Sequence, residues 1–214
     1  MLNVEEGKVA KLRKQQAAAV GVVEYGNSAV LVTVANHGQL LDRRRVDLAR
    51  GLPVHPYRDE GSWAVGRSID SPRARRMSLA DAVAMIVRVR EAAAHGAREG
   101  LDTLVAAVPA RIARIAIHVC PTLPTTIEER IADADAANVA DSVMYREALA
   151  SAAEAHGWPI YWYDHESVFR DAAEALGEDD IDAFLSAMGR SVGPPWQAKH
   201  KLAAAAAIAA NVER

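Results

Sequence analysis

Apolar residues first concentrate in residues 17–48, the run AAAVGVVEYGNSAVLVTVANHGQLLDRRRVDL. Two turn pairs, Gly26-Asn27 and His37-Gly38, cut this run into three short segments. Glycine and asparagine accept the positive φ angles that tight hairpin turns require, so the pattern predicts a three-strand meander over about 18–25, 29–35 and 39–46. The first segment is apolar on both faces until Glu24, as a strand in the middle of a sheet should be. The third carries Arg43, Arg44 and Arg45 in a row. That puts charge on both faces and suits an edge strand.

Residues 49–77 hold Pro53, Pro56 and Pro72 among scattered glycine and serine, which predicts a long loop with little regular structure. Loops of that length inside a compact domain usually carry function or move. Ser78 with Asp81 then reads as a helix start, with Leu79, Val83, Ile86 and Ala93 as its buried stripe and Gly96 or Gly100 as its stop. The run IARIAIHV at 112–119, bounded by Pro109 and Pro121, predicts a fourth strand. Thr126 and Glu129 form a full capping box that opens a helical region running, with a break, to Gly157. PIYWYD at 159–164 predicts a fifth strand, followed by helices over about 166–176 and 180–188. After Gly193-Pro194-Pro195 comes a last helix over 196–211, whose many alanines allow close approach to a sheet. The expected organisation is a polar arm at 1–16 and a single α/β domain at 17–214.

Half of the 214 residues are apolar and a quarter are charged, the balance of a folded globular chain. A net charge of −3 gives no global attraction to nucleic acid, so any such contact must use a local basic patch. One cysteine, Cys120, excludes an internal disulfide and fits a reducing cytoplasm. The first residues lack the apolar core of a signal peptide, and the alanine-rich stretch at 202–210 is too short to span a bilayer. The expectation is a cytoplasmic protein that makes no membrane contact. No GxGxxG, P-loop, GxSxG, HExxH or paired CxxC motif occurs, so the common nucleotide, serine-hydrolase and zinc chemistries have no support.

The predicted order, β-β-β-α-β-α-β-α, is a mixed sheet flanked by helices with parallel strands one, four and five. It resembles the ribonuclease H-like fold, shared by ribonucleases H, RuvC-type Holliday junction resolvases, integrases and many exonucleases. The resemblance covers residues 17–211 and rests on element order. Ligands of open α/β sheets gather beyond the carboxyl ends of parallel strands, and those ends carry Glu24, His118 and Asp164. In nucleases of this fold, carboxylates hold two Mg²⁺ or Mn²⁺ ions that activate water and stabilise the leaving oxygen of a phosphodiester. The resemblance thus implies Glu24 and Asp164 as metal ligands, with His118 or His200 ligating or moving protons. Where the family has an aspartate on strand one, this chain has Glu24. Where the family has acids after strand four and in the last helix, it has His118 and Lys199-His200-Lys201. Such a site needs about three or four carboxylates to balance its ions, and this edge offers two. Two readings follow. One is a nucleic-acid-associated protein acting as a metal-dependent nuclease, and the other is a catalytically inactive binding or scaffold module of the same fold, possibly a homodimer.

Several residues have both a functional and a structural reading. Lys199 and Lys201 in GPPWQAKHK, with Arg43, Arg44 and Arg45, form candidate phosphate contacts, or else solvated faces. The loop cluster HPYRDEGSW places His55, Tyr57, Asp59, Glu60 and Trp63 close together, as a functional loop would, or as a lid. Asp164 equally suits a helix cap. His118 and Cys120 equally suit an interior.

Overall fold

The computed structural model describes residues 16–59, 65 and 77–211. Glu60, Trp63, the further basic run Arg73, Arg75 and Arg76, which the sequence also offers as a local basic surface, and nearly all of the arm at 1–16 lie outside them. Five strands form one sheet in the order β3-β2-β1-β4-β5. They are β1 Ala17–Tyr25, β2 Ser28–Ala35, β3 Gln39–Asp47, β4 Arg111–His118 and β5 Ile160–Tyr163. β2 is antiparallel to β1 and β3, whereas β4 is parallel to both β1 and β5. The arginine-rich β3 lies at the edge, as its charge pattern predicts.

β1 alternates between two cores. Ala18, Val20 and Val22 face one side with Leu31, Ile115 and Ile117, against helices α1 (Leu79–Ala107) and α3 (Ala134–Ala155). Ala19 and Ala116 face the other side, against α4 (Val168–Leu176), α5 (Ile181–Val192) and α6 (Ala198–Ala210). Burial of both faces explains why β1 and β2 are apolar almost throughout rather than alternating. Gly21 lets α6 lie against β1, because a Cβ there would fall 1.8 Å from the Ala203 carbonyl oxygen. The alanine stripe of α6 is the helix side of that same approach.

The capping signals form as expected. Ser78 Oγ accepts from Asp81 N–H at 3.1 Å, and Thr126 and Glu129 exchange both bonds of a capping box at the start of α2 (Ile127–Ala132). One expectation fails. Gly96 and Gly100 do not stop α1, which continues through both to Ala107. A Cβ at Gly96 would meet the Leu48 carbonyl oxygen at 2.4 Å, and one at Gly100 would meet Val46 at 3.0 Å. These glycines permit close packing of the helix on the end of β3, a tertiary demand with the same one-letter signature as a helix end. The break in the helical region after Thr126 falls at Asp133, which caps α3 through Asp135 and Ala136 N–H.

Candidate functional site

The parallel strands β1, β4 and β5 end at one edge, and β3 arrives there too, since Asp47 pairs with Ser28 beside the β1–β2 turn. The chain leaving β3 is tied to that turn, Leu48 N–H donating to Asn27 O at 2.8 Å and Asn27 Nδ2 to Ala49 O at 3.1 Å. Topology thus gathers Glu24, Tyr25, His118, Asp164, the segment 48–59 and the first turn of α6.

Glu24 is engaged from within the protein. Arg146, on α3, donates to Glu24 Oε1 from Nε at 2.8 Å and from Nη2 at 2.5 Å. Its Nη1 donates to the Val119 carbonyl at 2.8 Å. Both side chains are nearly covered, Glu24 at 10% exposure and Arg146 at 12%. A guanidinium that grips a carboxylate through two nitrogens in a poorly hydrated place is a strong, directional pair. His118 lies beside it, its ring 5.4 Å from that of buried Tyr163. Burial and the nearby Arg146 charge hold the His118 imidazole below its usual pKa. Tyr163 Oη donates to Val22 O at 2.9 Å, tying the end of β5 back to β1. Cys120 sits at the same edge, and burial pushes its thiol up, away from the reactive thiolate. Asp164 is exposed and caps the turn into α4 by accepting from Glu166 N–H at 2.9 Å.

These residues do not fit a divalent-metal centre. Glu24 Oε1 already accepts two N–H bonds from a cation. Among the described residues, no group of three or more His, Cys, Asp or Glu side chains stands close enough to hold a metal ion. Two acids at α3 are engaged elsewhere: Asp133 caps its start, and Asp141 accepts from the N–H of Tyr57 in the loop.

The last helix begins with a different kind of side chain. Lys199 Nζ lies 3.0 Å from the centroid of Tyr25, whose ring is 64% exposed at the end of β1. His200 is buried and closes the helix start, its Nδ1 accepting from Gln197 N–H at 3.1 Å. Burial, then Arg43 and Lys199, lower its pKa, consistent with the acceptor role. Lys201 Nζ donates to Ser186 Oγ at 2.9 Å. Of the arginines on β3, Arg43 donates to the carbonyls of Gly193 and Pro195 at 2.9 and 2.6 Å. Arg44 forks onto Asp42 at 2.6 and 2.9 Å, and Arg45 is largely exposed, 3.7 Å from Asp47.

In the loop, Tyr57 is buried and packs in the core beneath α1 and α3. Its N–H donates at 2.8 Å to Asp141 Oδ1, and His55 Nδ1 stands 3.7 Å from Asp141 Oδ2. Asp141 is 4% exposed, and desolvation pushes its carboxyl up to about 6 despite the backbone donors of Tyr57 and Arg58. Asp59 pairs with Arg58 at 2.7 Å. The described part of the loop is clasped to α3. Arg146 is the main residue that sequence reasoning misses. Its partner is 122 positions away, and no local pattern announces the pairing.

No protein-family model matches the chain, and no curated protein matches it. Among solved structures it is similar to Thermus thermophilus RuvC in complex with a Holliday junction substrate. That match has 14% identity and a TM-score of 0.45, and covers 90% of this chain and 91% of that one. A second structure of Thermus thermophilus RuvC matches at 14% identity and a TM-score of 0.41, covering 90% of this chain and 92% of that one. Among the described residues no helix is long and apolar enough to cross a membrane. By its own strand order, with β2 antiparallel between β3 and β1 and helices on both faces, the chain has the ribonuclease H-like fold.

Proposed function

We propose that this protein binds nucleic acid at the carboxyl edge of its sheet and does not hydrolyse it by two-metal chemistry. The observation that carries the second half is the Arg146–Glu24 pair. The carboxylate that the fold resemblance assigns to metal is held by a side-chain cation, and His118 stands where a further acid is expected. The first half is supported by the exposed Tyr25 ring with Lys199 against it, at an edge that collects chain segments from across the fold. An exposed aromatic ring next to cations is the usual platform for an unpaired base, and stacking there is worth ~1–3 kcal/mol per base.

The experiment is a fluorescence anisotropy titration of the full chain with labelled single-stranded, duplex and four-way-junction DNA. The same mixtures, with Mg²⁺ and then Mn²⁺, are resolved on denaturing gels. The expected result is salt-sensitive binding of at least one of these, weakened about tenfold or more by Tyr25→Ala, with every strand left intact. Cleavage that requires Mn²⁺ and vanishes in Glu24→Gln overturns the non-hydrolytic half. Absence of binding to all three overturns the other.

A further inference from the structure

A cleft of about 420 Å³ opens between α5 and the start of α6, lined by Ser186, Arg190, Gly193, Pro194, Trp196 and Lys201, with Gly189 at its floor. Its walls contain two cations and a hydroxyl and no carboxylate. Lys201 Nζ uses one of its three donors on Ser186 Oγ, which leaves two donors and the serine O–H for an acceptor from outside. Arg190 makes no ion pair among the described residues. Arg43 anchors the rim through the Gly193 and Pro195 carbonyls, and no carboxylate pairs with it among the described residues either. In a chain whose net charge is −3, this is a local excess of positive charge.

Trp196 is fixed on both sides, since a Cβ at Gly189 would lie 2.2 Å from its Cδ1 and its ring stacks with His200 at 5.8 Å. The exposed lining is otherwise more apolar than polar, so any hold on an anion rests on Lys201, Arg190 and Ser186 Oγ alone. Lys199, on Tyr25, and Lys201, in the cleft, both belong to the first turn of α6, which connects the cleft to the sheet edge through the helix.

We propose that this cleft is a phosphate subsite for the backbone of a nucleic-acid strand whose base rests on Tyr25, with Lys201, Arg190 and Ser186 Oγ touching the phosphate. The inference rests on the nucleic-acid reading above and adds the path of the strand, from the sheet edge along the first turn of α6 to α5.

The test measures anisotropy affinities for a labelled single-stranded oligothymidylate over a series of KCl concentrations. Wild type is compared with Arg190→Gln, Lys201→Gln, the double variant, Lys201→Arg and the distant surface control Arg98→Gln. Each phosphate neutralised on a single strand contributes roughly 0.7 to the slope of log affinity against log salt. With Lys201 and Arg190 on one phosphate, the slope should therefore flatten by about 0.7 in the double variant and by less than that in each single glutamine variant. Lys201→Arg should restore the wild-type slope and Arg98→Gln should leave it unchanged. Thermal unfolding of each variant identifies any that is misfolded, and for such a position the lysine–arginine exchange or the other single variant decides. Tight wild-type binding with an unchanged slope in the double variant overturns the subsite and leaves the nucleic-acid reading standing. Equal flattening by Arg98→Gln overturns it as well. No wild-type binding to any nucleic acid overturns both.

Discussion

Replacing Arg146 by methionine tests the central feature of the site directly. The change removes the two N–H donors that Glu24 Oε1 accepts at 2.8 and 2.5 Å and the one that Val119 O accepts at 2.8 Å. It leaves a carboxylate at 10% exposure with no counter-charge. Two opposite unit charges ~4 Å apart attract by about 4 kcal/mol at an effective dielectric of about 20. Removing one partner of a covered pair typically costs about 3–5 kcal/mol, because the survivor stays desolvated. Slight exposure here lets some water reach Glu24, so the expected loss is near the lower figure, about 3 kcal/mol. Glu24→Gln should cost less, since the amide oxygen still accepts from Arg146. The double variant should be more stable than the two single losses sum to, by at least about 1.5 kcal/mol of coupling. Urea unfolding followed by far-ultraviolet circular dichroism gives all four corners of the cycle. Additive losses, with each single variant within about 0.5 kcal/mol of wild type, are the signature of an exposed pair. That result would refute the claim that Arg146 neutralises Glu24, and the metal-dependent reading would return with it.

Two other outcomes follow from packing and burial. Gly21→Ala places a methyl group 1.8 Å from the Ala203 carbonyl oxygen. Neither backbone can yield without lifting α6 off the sheet, so a loss of more than about 3 kcal/mol in urea unfolding is expected. Asp141, with its carboxyl raised to about 6, binds its proton more tightly when folded than when unfolded. Its contribution to stability is therefore fully present below about pH 4 and is lost as pH rises to about 6, by up to about 3 kcal/mol. Asp141→Asn keeps an acceptor for Tyr57 N–H and should remove that leg of the stability–pH profile. An unchanged profile would show that Asp141 titrates normally.

Local chemistry made much of the fold legible. Gly26-Asn27 needs no partner to favour a turn, and Ser78 and Thr126 with Glu129 satisfy helix N–H groups only a few residues away. The doubly apolar β1 and the charged β3 identify centre and edge through burial alone, and the alanine stripe of α6 declares a close neighbour. Gly96 misled because one property, the absence of Cβ, serves both a helix end and a close approach of helix to strand. Only the Leu48 carbonyl at 2.4 Å separates the two uses, and β3 is brought there by tertiary structure.

Which residues the strand ends bring together was legible, and their charge partners were not. The strand ends that should collect polar groups do so, but what those groups can do depends on partners that spacing does not reveal. Arg43 and Arg44 are identical as letters in a basic run, yet one holds the backbone of the 193–195 turn and the other neutralises Asp42. Lys199 and Lys201 differ by two positions, and one meets an aromatic ring while the other meets a serine in a cleft. Glu24 is the clearest case. A carboxylate at the end of the first strand binds a divalent ion only if no protein cation is closer, and Arg146 arrives from a helix 122 positions away. Burial, and then the charge of the same guanidinium, hold the His118 imidazole below its usual pKa. A single distant residue thus decides what the carboxylate at the end of the first strand can do.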